Sequence, residues 1–306
     1  MRRLFNLVAI VAALTVGGAA SAKLKIVATH ADLASITSTV GGDRVEVVSI
    51  VEPTQDPHFV DARPHLMLEL NQANLVVLVG LQLEVGWLPN LLTGARNSKI
   101  LPGTEGYLDT STLIERRQVP KGAIDRSMGD LHPGGNPHFS KSPAAGLRIA
   151  DGIARRLSQL DPDGAGTYRR NLSLFQRQLG EAMARWEKQM QPYRGTKVIA
   201  YHESWVYFTD WLGLDAVAFV EPKPGIPPDP AHIAKLLGQI RTDKVRVILQ
   251  EEYYPDSTSR LLADKSGARL ILSHGGAHIS DGEDYIGYLD RQVQSIVQVL
   301  GKGMTP

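Results

Sequence analysis

From residue 24 onward, short apolar runs alternate with segments of helical period, and that alternation leaves few folds open. LKIVA (24–28), RVEVVSIV (44–51) and LVVLV (75–79) read as strands, with a further short strand near 98–101. Helical segments lie between them at 31–40, 64–72 and 84–93, the first ending at the stop signal Gly41–Gly42. After residue 192 the pattern resumes. Strands are expected at 197–201 (KVIAY), 215–220, 245–249 (VRVIL) and 268–272 (ARLIL), with helices near 204–212, 230–240, 257–266 and 284–301. Such βαβα order predicts an α/β chain with mostly parallel sheets flanked by helices.

The middle of the chain departs from the alternation. Residues 102–141 are rich in Gly, Pro and polar side chains and carry no clear period, as expected of a functional or mobile loop. Ser142–Pro143 then starts a helix through about Leu160, with Ser at N-cap and Pro at N1. Asp161–Pro162 restarts the chain into one long helix over 163–191. Leu172, Phe175, Leu179, Met183, Trp186 and Met190 give it an apolar stripe. A helix that long spans about 42 Å, more than one small lobe. Two α/β lobes joined by this helix follow, with boundaries 23–160, 161–192 and 193–306. Asp229 and Pro230 mark another helix start, reached through the stiff EPKPGIPPDP segment.

Residues 1–22 have the pattern of a secretory signal: Arg2 and Arg3, an apolar run from Leu4 to about Val16, then Ala20-Ser21-Ala22. The run is shorter than the about 20 residues a bilayer span needs, so cleavage near Ala22 and a soluble periplasmic product are expected. The whole chain has 33 Lys and Arg against 32 Asp and Glu, and loss of Arg2 and Arg3 leaves one net negative charge. A chain so balanced has no electrostatic footprint for nucleic acid or an anionic membrane. It contains no Cys, which excludes thiolate metal sites, iron–sulfur clusters, thiol catalysis and a Cys-linked lipid anchor. Any metal must be held by nitrogen and oxygen.

Nine histidines supply the nitrogen. His202 is the first residue beyond KVIAY, and His274 follows ARLIL and Ser273. Ligands of open parallel sheets bind outside the carboxyl ends of the strands, so both stand where a second-lobe site belongs. In the first lobe, the strand at 44–51 leads into EPTQDPHFV, which places His58 at the same edge. His138 lies in GNPHFS, just ahead of the Ser142–Pro143 start. Pro57 and Pro137 stiffen the loops that present these two rings. Two histidines from each lobe then make a four-coordinate nitrogen site, and imidazole suits zinc. No HExxH or other short zinc motif accompanies them. Glu203 and Glu251 are the candidate acceptors for the far ring nitrogens. His30, His65 and His232 read as hydrogen-bonded or solvated, and His132 as a transient metal contact in the long loop. Trp205, Tyr207, Phe208 and Trp211 read as core packing.

The segments VEPTQDPHFVDARP, ANLVVLVGLQLEVGWLPNLL, HPGGNPHFSKSP, AYHESWVYFTDWLGL and DYIGYLDRQV resemble the metal-binding component of ABC-type zinc and manganese importers. The resemblance covers about residues 23–300. It implies two α/β lobes joined by a backbone helix, with the metal between them, and its first three ligands fall on His58, His138 and His202. The family's fourth ligand, usually an Asp, falls in SHGGAHISDGEDY. His274 is the first candidate there, Asp281 the alternative carboxylate and His278 a third. A fourth histidine favours zinc, and a carboxylate favours manganese. Zinc relatives often carry a His-rich run in the 102–141 region; besides His138, only His132 stands there.

The resemblance implies a non-enzymatic role: capture of Zn²⁺ in the periplasm and delivery to an ABC permease in the inner membrane. A periplasmic metallochaperone is a second candidate partner, and a monomer is expected. Alternatives are a manganese importer component, a zinc hydrolase using three histidines with Glu203 or Glu251 as base, and a surface adhesin.

Overall fold

The computed structural model describes residues 22–122, 129 and 131–301. The expected signal segment, apart from Ala22, lies outside them.

The first half builds one parallel sheet from β1 (Leu24–Ala28), β2 (Val45–Ser49), β3 (Leu75–Leu78) and β4 (Tyr107–Asp109), in the order β2-β1-β3-β4. The second builds another from β5 (Lys197–Ala200), β6 (Asp215–Phe219), β7 (Val247–Glu251) and β8 (Arg269–Ser273), in the order β6-β5-β7-β8. All six pairings are parallel, with Ile26 opposite Val47 and Leu75, and Val198 opposite Val247. Strand order reverses beside β1 and β5, so each sheet opens a crevice at the carboxyl end of its first strand.

The expected strand near 98–101 is a 3-10 turn (Ser98–Ile100), and the fourth strand forms instead at Tyr107–Asp109, inside the region read as loop. The reason is local: Asn97 caps the turn by accepting Lys99 N–H, and Gly106 then leads into a strand of three residues, too short to show a period.

Helices follow the sheet edges: α1 (Ala31–Gly41), α2 (Pro64–Gln72), α3 (Leu88–Ala95), α4 (Pro143–Leu160), α5 (Ala165–Met190), α6 (Val206–Leu212), α7 (Pro230–Asp243), α8 (Ser257–Ser266) and α9 (Tyr285–Gly301). Pro143 and Pro230 each stand at a helix start, and Asp229 caps α7 by accepting His232 N–H at 2.7 Å. Ser142 occupies the N-cap of α4 without a side-chain cap bond. The 26 residues of α5 span about 39 Å. Tyr168, Phe175, Leu179, Ala182, Trp186 and Met190 are its buried face; Leu172 and Met183 pack at its margin.

Each sheet has its own outer layer. α2 and α3 cover the first through Leu66, Leu70, Leu88 and Leu91, and α7 and α8 cover the second through Leu236, Ile240 and Leu262. The inner faces share one core. Ile26, Leu75 and Ile36 of the first half and Val198, Val247 and Ile271 of the second belong to a single apolar cluster, bridged by α4, α5 and α9. The carboxyl edges of both sheets are thereby fixed relative to one another.

Candidate metal centre

Three of the histidines singled out by sequence converge between these edges. The ring centroids of His58, His138 and His202 form a near-equilateral triangle of 5.2, 5.2 and 5.3 Å, the rings tilted by 59–88° to one another. One ring nitrogen of each lies within 4.8 Å of those of the other two.

The same local device presents two of them. In Asp56-Pro57-His58 and Asn136-Pro137-His138, the side-chain oxygen of the first residue accepts the backbone N–H of the histidine, at 3.0 and 2.9 Å. This is an Asx turn stiffened by proline. The first turn is anchored by buried Trp87, whose indole N–H donates to the Pro57 carbonyl at 3.0 Å. The second is anchored by the Asn136 amide, which donates to the Glu203 carbonyl at 2.8 Å and to Gln118 at 2.7 Å. His202 leaves the end of β5, at the crevice of the second sheet, and precedes a 3-10 turn at Glu203–Trp205.

Two rings are backed by carboxylates. His58 Nδ1 lies 2.7 Å from Asp56 Oδ1, and His202 Nδ1 lies 2.8 Å from Glu221 Oε2. Such partners fix the tautomer and leave Nε2 for a cation. His138 Nε2 is fully buried and has no hydrogen-bond partner. A buried nitrogen without a partner costs free energy unless something binds it.

Burial holds the His138 imidazole well below the usual histidine range, helped by His202 and His58, so its ring is neutral and its lone pair available. Burial also disfavours charge on His202, but the Glu221 carboxylate outweighs it and raises its pKa. Burial pushes Asp56 upward, yet its bond to His58 lowers it overall, so it stays ionised.

The acceptors expected at Glu203 and Glu251 do other work. Glu203 offers its carbonyl to Asn136, and buried Glu251 accepts the Ser204 hydroxyl at 2.6 Å and pairs with Lys141 Nζ at 3.3 Å. Asp56 and Glu221 take their place. Asp56 could have been read from the DPH triplet. Glu221 could not, because its approach depends on β5 and β6 being neighbours.

His274 stands apart from the three-histidine group. Its Nδ1 lies 2.9 Å from Glu252 Oε2, at an angle that makes no hydrogen bond, and its ring faces His278 at 5.1 Å. His278 in turn approaches Asp281 at 3.1 Å. His132 lies against the group, its Nε2 3.4 Å from that of His58. His30 caps α1 by accepting Asp32 N–H, His232 Nε2 lies 3.1 Å from the Phe219 carbonyl, and His65 is exposed. Trp205, Tyr207 and Phe208 are buried packing residues.

No helix among the described residues is long and apolar enough to cross a membrane. The metal ABC transporter substrate-binding lipoprotein ScbA of Streptococcus cristatus is 24% identical over 294 residues, 92% of this chain and 90% of that protein. The manganese ABC transporter substrate-binding lipoprotein PsaA of Streptococcus pneumoniae is 24% identical over 291 residues, again 92% and 90%. Among solved structures, the crystal structure of ZnuA superposes with a TM-score of 0.76 at 24% identity, covering 90% of this chain and 99% of that one. The Cd-bound periplasmic metal binding protein from Candidatus Liberibacter asiaticus gives 0.71 at 19% identity, covering 91% and 100%. Both structures share the fold of two helix-flanked parallel sheets. Residues 26–299 match the model of the family described as zinc-uptake complex component A, periplasmic (ZnuA), and the chain belongs to that family of metal-binding components of ABC transporters.

Proposed function

We propose that this protein captures Zn²⁺ in the periplasm through His58, His138 and His202 and delivers it to an ABC permease in the inner membrane, acting as a monomer and not as an enzyme. The observation that carries the reading is the buried, unpartnered Nε2 of His138 facing two imidazoles already oriented by carboxylates. Nitrogen donors suit Zn²⁺, whereas Mn²⁺ prefers oxygen. The names of relatives such as PsaA keep manganese as the second reading. Nothing in the three-histidine group supplies oxygen, which weighs for zinc.

Elemental analysis of purified protein, with competition titrations of Zn²⁺ and Mn²⁺, tests this. Wild type should carry one zinc and prefer it over manganese, and His58→Ala and His138→Ala should each lose that zinc. Equal zinc content in wild type and His58→Ala would refute the assignment.

A further inference from the structure

Three imidazoles leave a tetrahedral cation one donor short. The fourth donor sought in the 274–281 segment is not among them, because the His274 ring is turned to Glu252 and His278. Building on the three-histidine reading, we propose that His132 is the fourth ligand, so that four imidazoles enclose the cation and select zinc.

The spacing is the first argument. His132 Nε2 and His58 Nε2 face each other at 3.4 Å. Two nitrogens on one zinc, each bonded at about 2.0–2.1 Å in tetrahedral geometry, stand about 3.3 Å apart. The second argument is orientation. The His132 ring stacks on that of His58, the centroids 5.5 Å apart and the planes 26° from parallel, and His58 is itself held by Asp56.

The third argument is location. His132 lines the same narrow cleft as His138 and His202, and His274 does not. Its backbone is tied down close by: its carbonyl accepts Gly135 N–H at 3.1 Å, and Asn136 joins that turn to the Arg117 and Glu203 carbonyls. Gly135 has φ 108°, which a side chain would oppose. His132 stands at the rim, since mutual spacing within 4.8 Å holds for the other three alone.

Charge points the same way. Four neutral imidazoles leave a divalent cation with two positive charges, and the Asp56 and Glu221 carboxylates behind His58 and His202 balance them. A fifth-residue carboxylate bonded to the cation would overbalance the site.

The test uses full-length mature protein loaded with Co²⁺, whose visible absorption is strong in tetrahedral and weak in higher coordination, alongside competition titrations with Zn²⁺ and Mn²⁺. His132→Ala should lose the strong band and at least about 100-fold in Zn²⁺ affinity, above the 10–100-fold cost of removing a ligand's hydrogen-bond partner. Mn²⁺ affinity should fall less than about tenfold, which narrows the preference. His132→Asp should move preference toward Mn²⁺. His274→Ala and Asp281→Asn should keep band and affinity. Thermal unfolding of the apo variants controls for folding. Loss of the band in His274→Ala or Asp281→Asn, or its retention in a folded His132→Ala, would overturn the proposal. If His58→Ala abolishes binding while His132→Ala does not, only the fourth-ligand assignment fails. Full binding by His58→Ala removes the three-histidine reading as well.

Discussion

At the scale of single residues, the site sets two needs against each other at His202. Glu221 orients the ring by accepting from Nδ1, which favours binding, but the same carboxylate stabilises the protonated ring that cannot ligate. Because the pKa of His202 is raised, a cation must displace a proton over more of the range between pH 6 and 8 than at an ordinary histidine. Affinity should therefore fall as pH drops through that raised value. Glu221→Gln keeps an acceptor oxygen but removes the charge. We expect it to lower Zn²⁺ affinity about 10–100-fold at pH 8, where orientation dominates. It should also shift the acid release of metal to lower pH, since His202 then protonates later. Competition titrations from pH 5 to 8, with NMR titration of the ring, check both effects. A variant with unchanged affinity and unchanged acid midpoint would show that Glu221 neither orients nor charges the ring.

At the scale of elements, short connections at the sheet edge do the positioning, and Glu84 shows how. Its buried carboxylate accepts the Thr29 hydroxyl and the Val79 N–H, each at 2.7 Å, and the Gly80 N–H at 3.1 Å. It thus pins the turn after β3, where Leu81 and Gln82 both hold left-handed backbone conformations, to the end of β1. Glu84→Ala leaves two buried donors, the Thr29 hydroxyl and the Gly80 N–H, unmatched at about 1–3 kcal/mol each, while Val79 N–H keeps the Thr29 oxygen at 3.2 Å. We expect a loss of about 4 kcal/mol, or roughly 8–16 °C in melting temperature at about 2–4 °C per kcal/mol, measured by calorimetry on apo protein. This scale also explains what could be read in advance. The β/α alternation was legible because six of the strands carry runs of Val, Ile and Leu, and Pro57 and Pro137 drew attention to His58 and His138. β4 was not, since three residues with one buried Leu108 have no period. Nor were the partners of His202, since Glu221 comes near only because β6 lies beside β5. His132 sat in a stretch without periodicity, and its nearness to His58 spans 74 positions of sequence.

At the scale of the whole molecule, one apolar core runs through both sheets and a buried polar cluster fastens the seam. Lys141, three residues beyond His138, is buried; its ammonium donates to Tyr288 at 3.0 Å, pairs with Glu251 at 3.3 Å and lies 4.5 Å from the centre of the Trp205 ring. Beside it, Asp32 of α1 accepts from Ser140 at 2.7 Å and from Ala277 N–H at 2.9 Å, and the Tyr285 hydroxyl donates to the Ser140 carbonyl at 2.6 Å. Residues from both halves therefore hold the segment that presents His138. Two loosely joined lobes would melt in two steps, whereas a shared core predicts one transition with equal calorimetric and van't Hoff enthalpies. The seam should be sensitive to charge. Lys141→Met strands the Glu251 carboxylate, which has no solvent exposure, and removing one partner of a buried pair costs about 3–5 kcal/mol. Lys141→Met with Glu251→Gln removes both charges and should recover most of that loss, a coupling read directly from a double-mutant cycle. Additive losses would mean that the pair contributes no mutual stabilisation, and a second melting step in wild type would mean that the core is not shared in energy as it is in space.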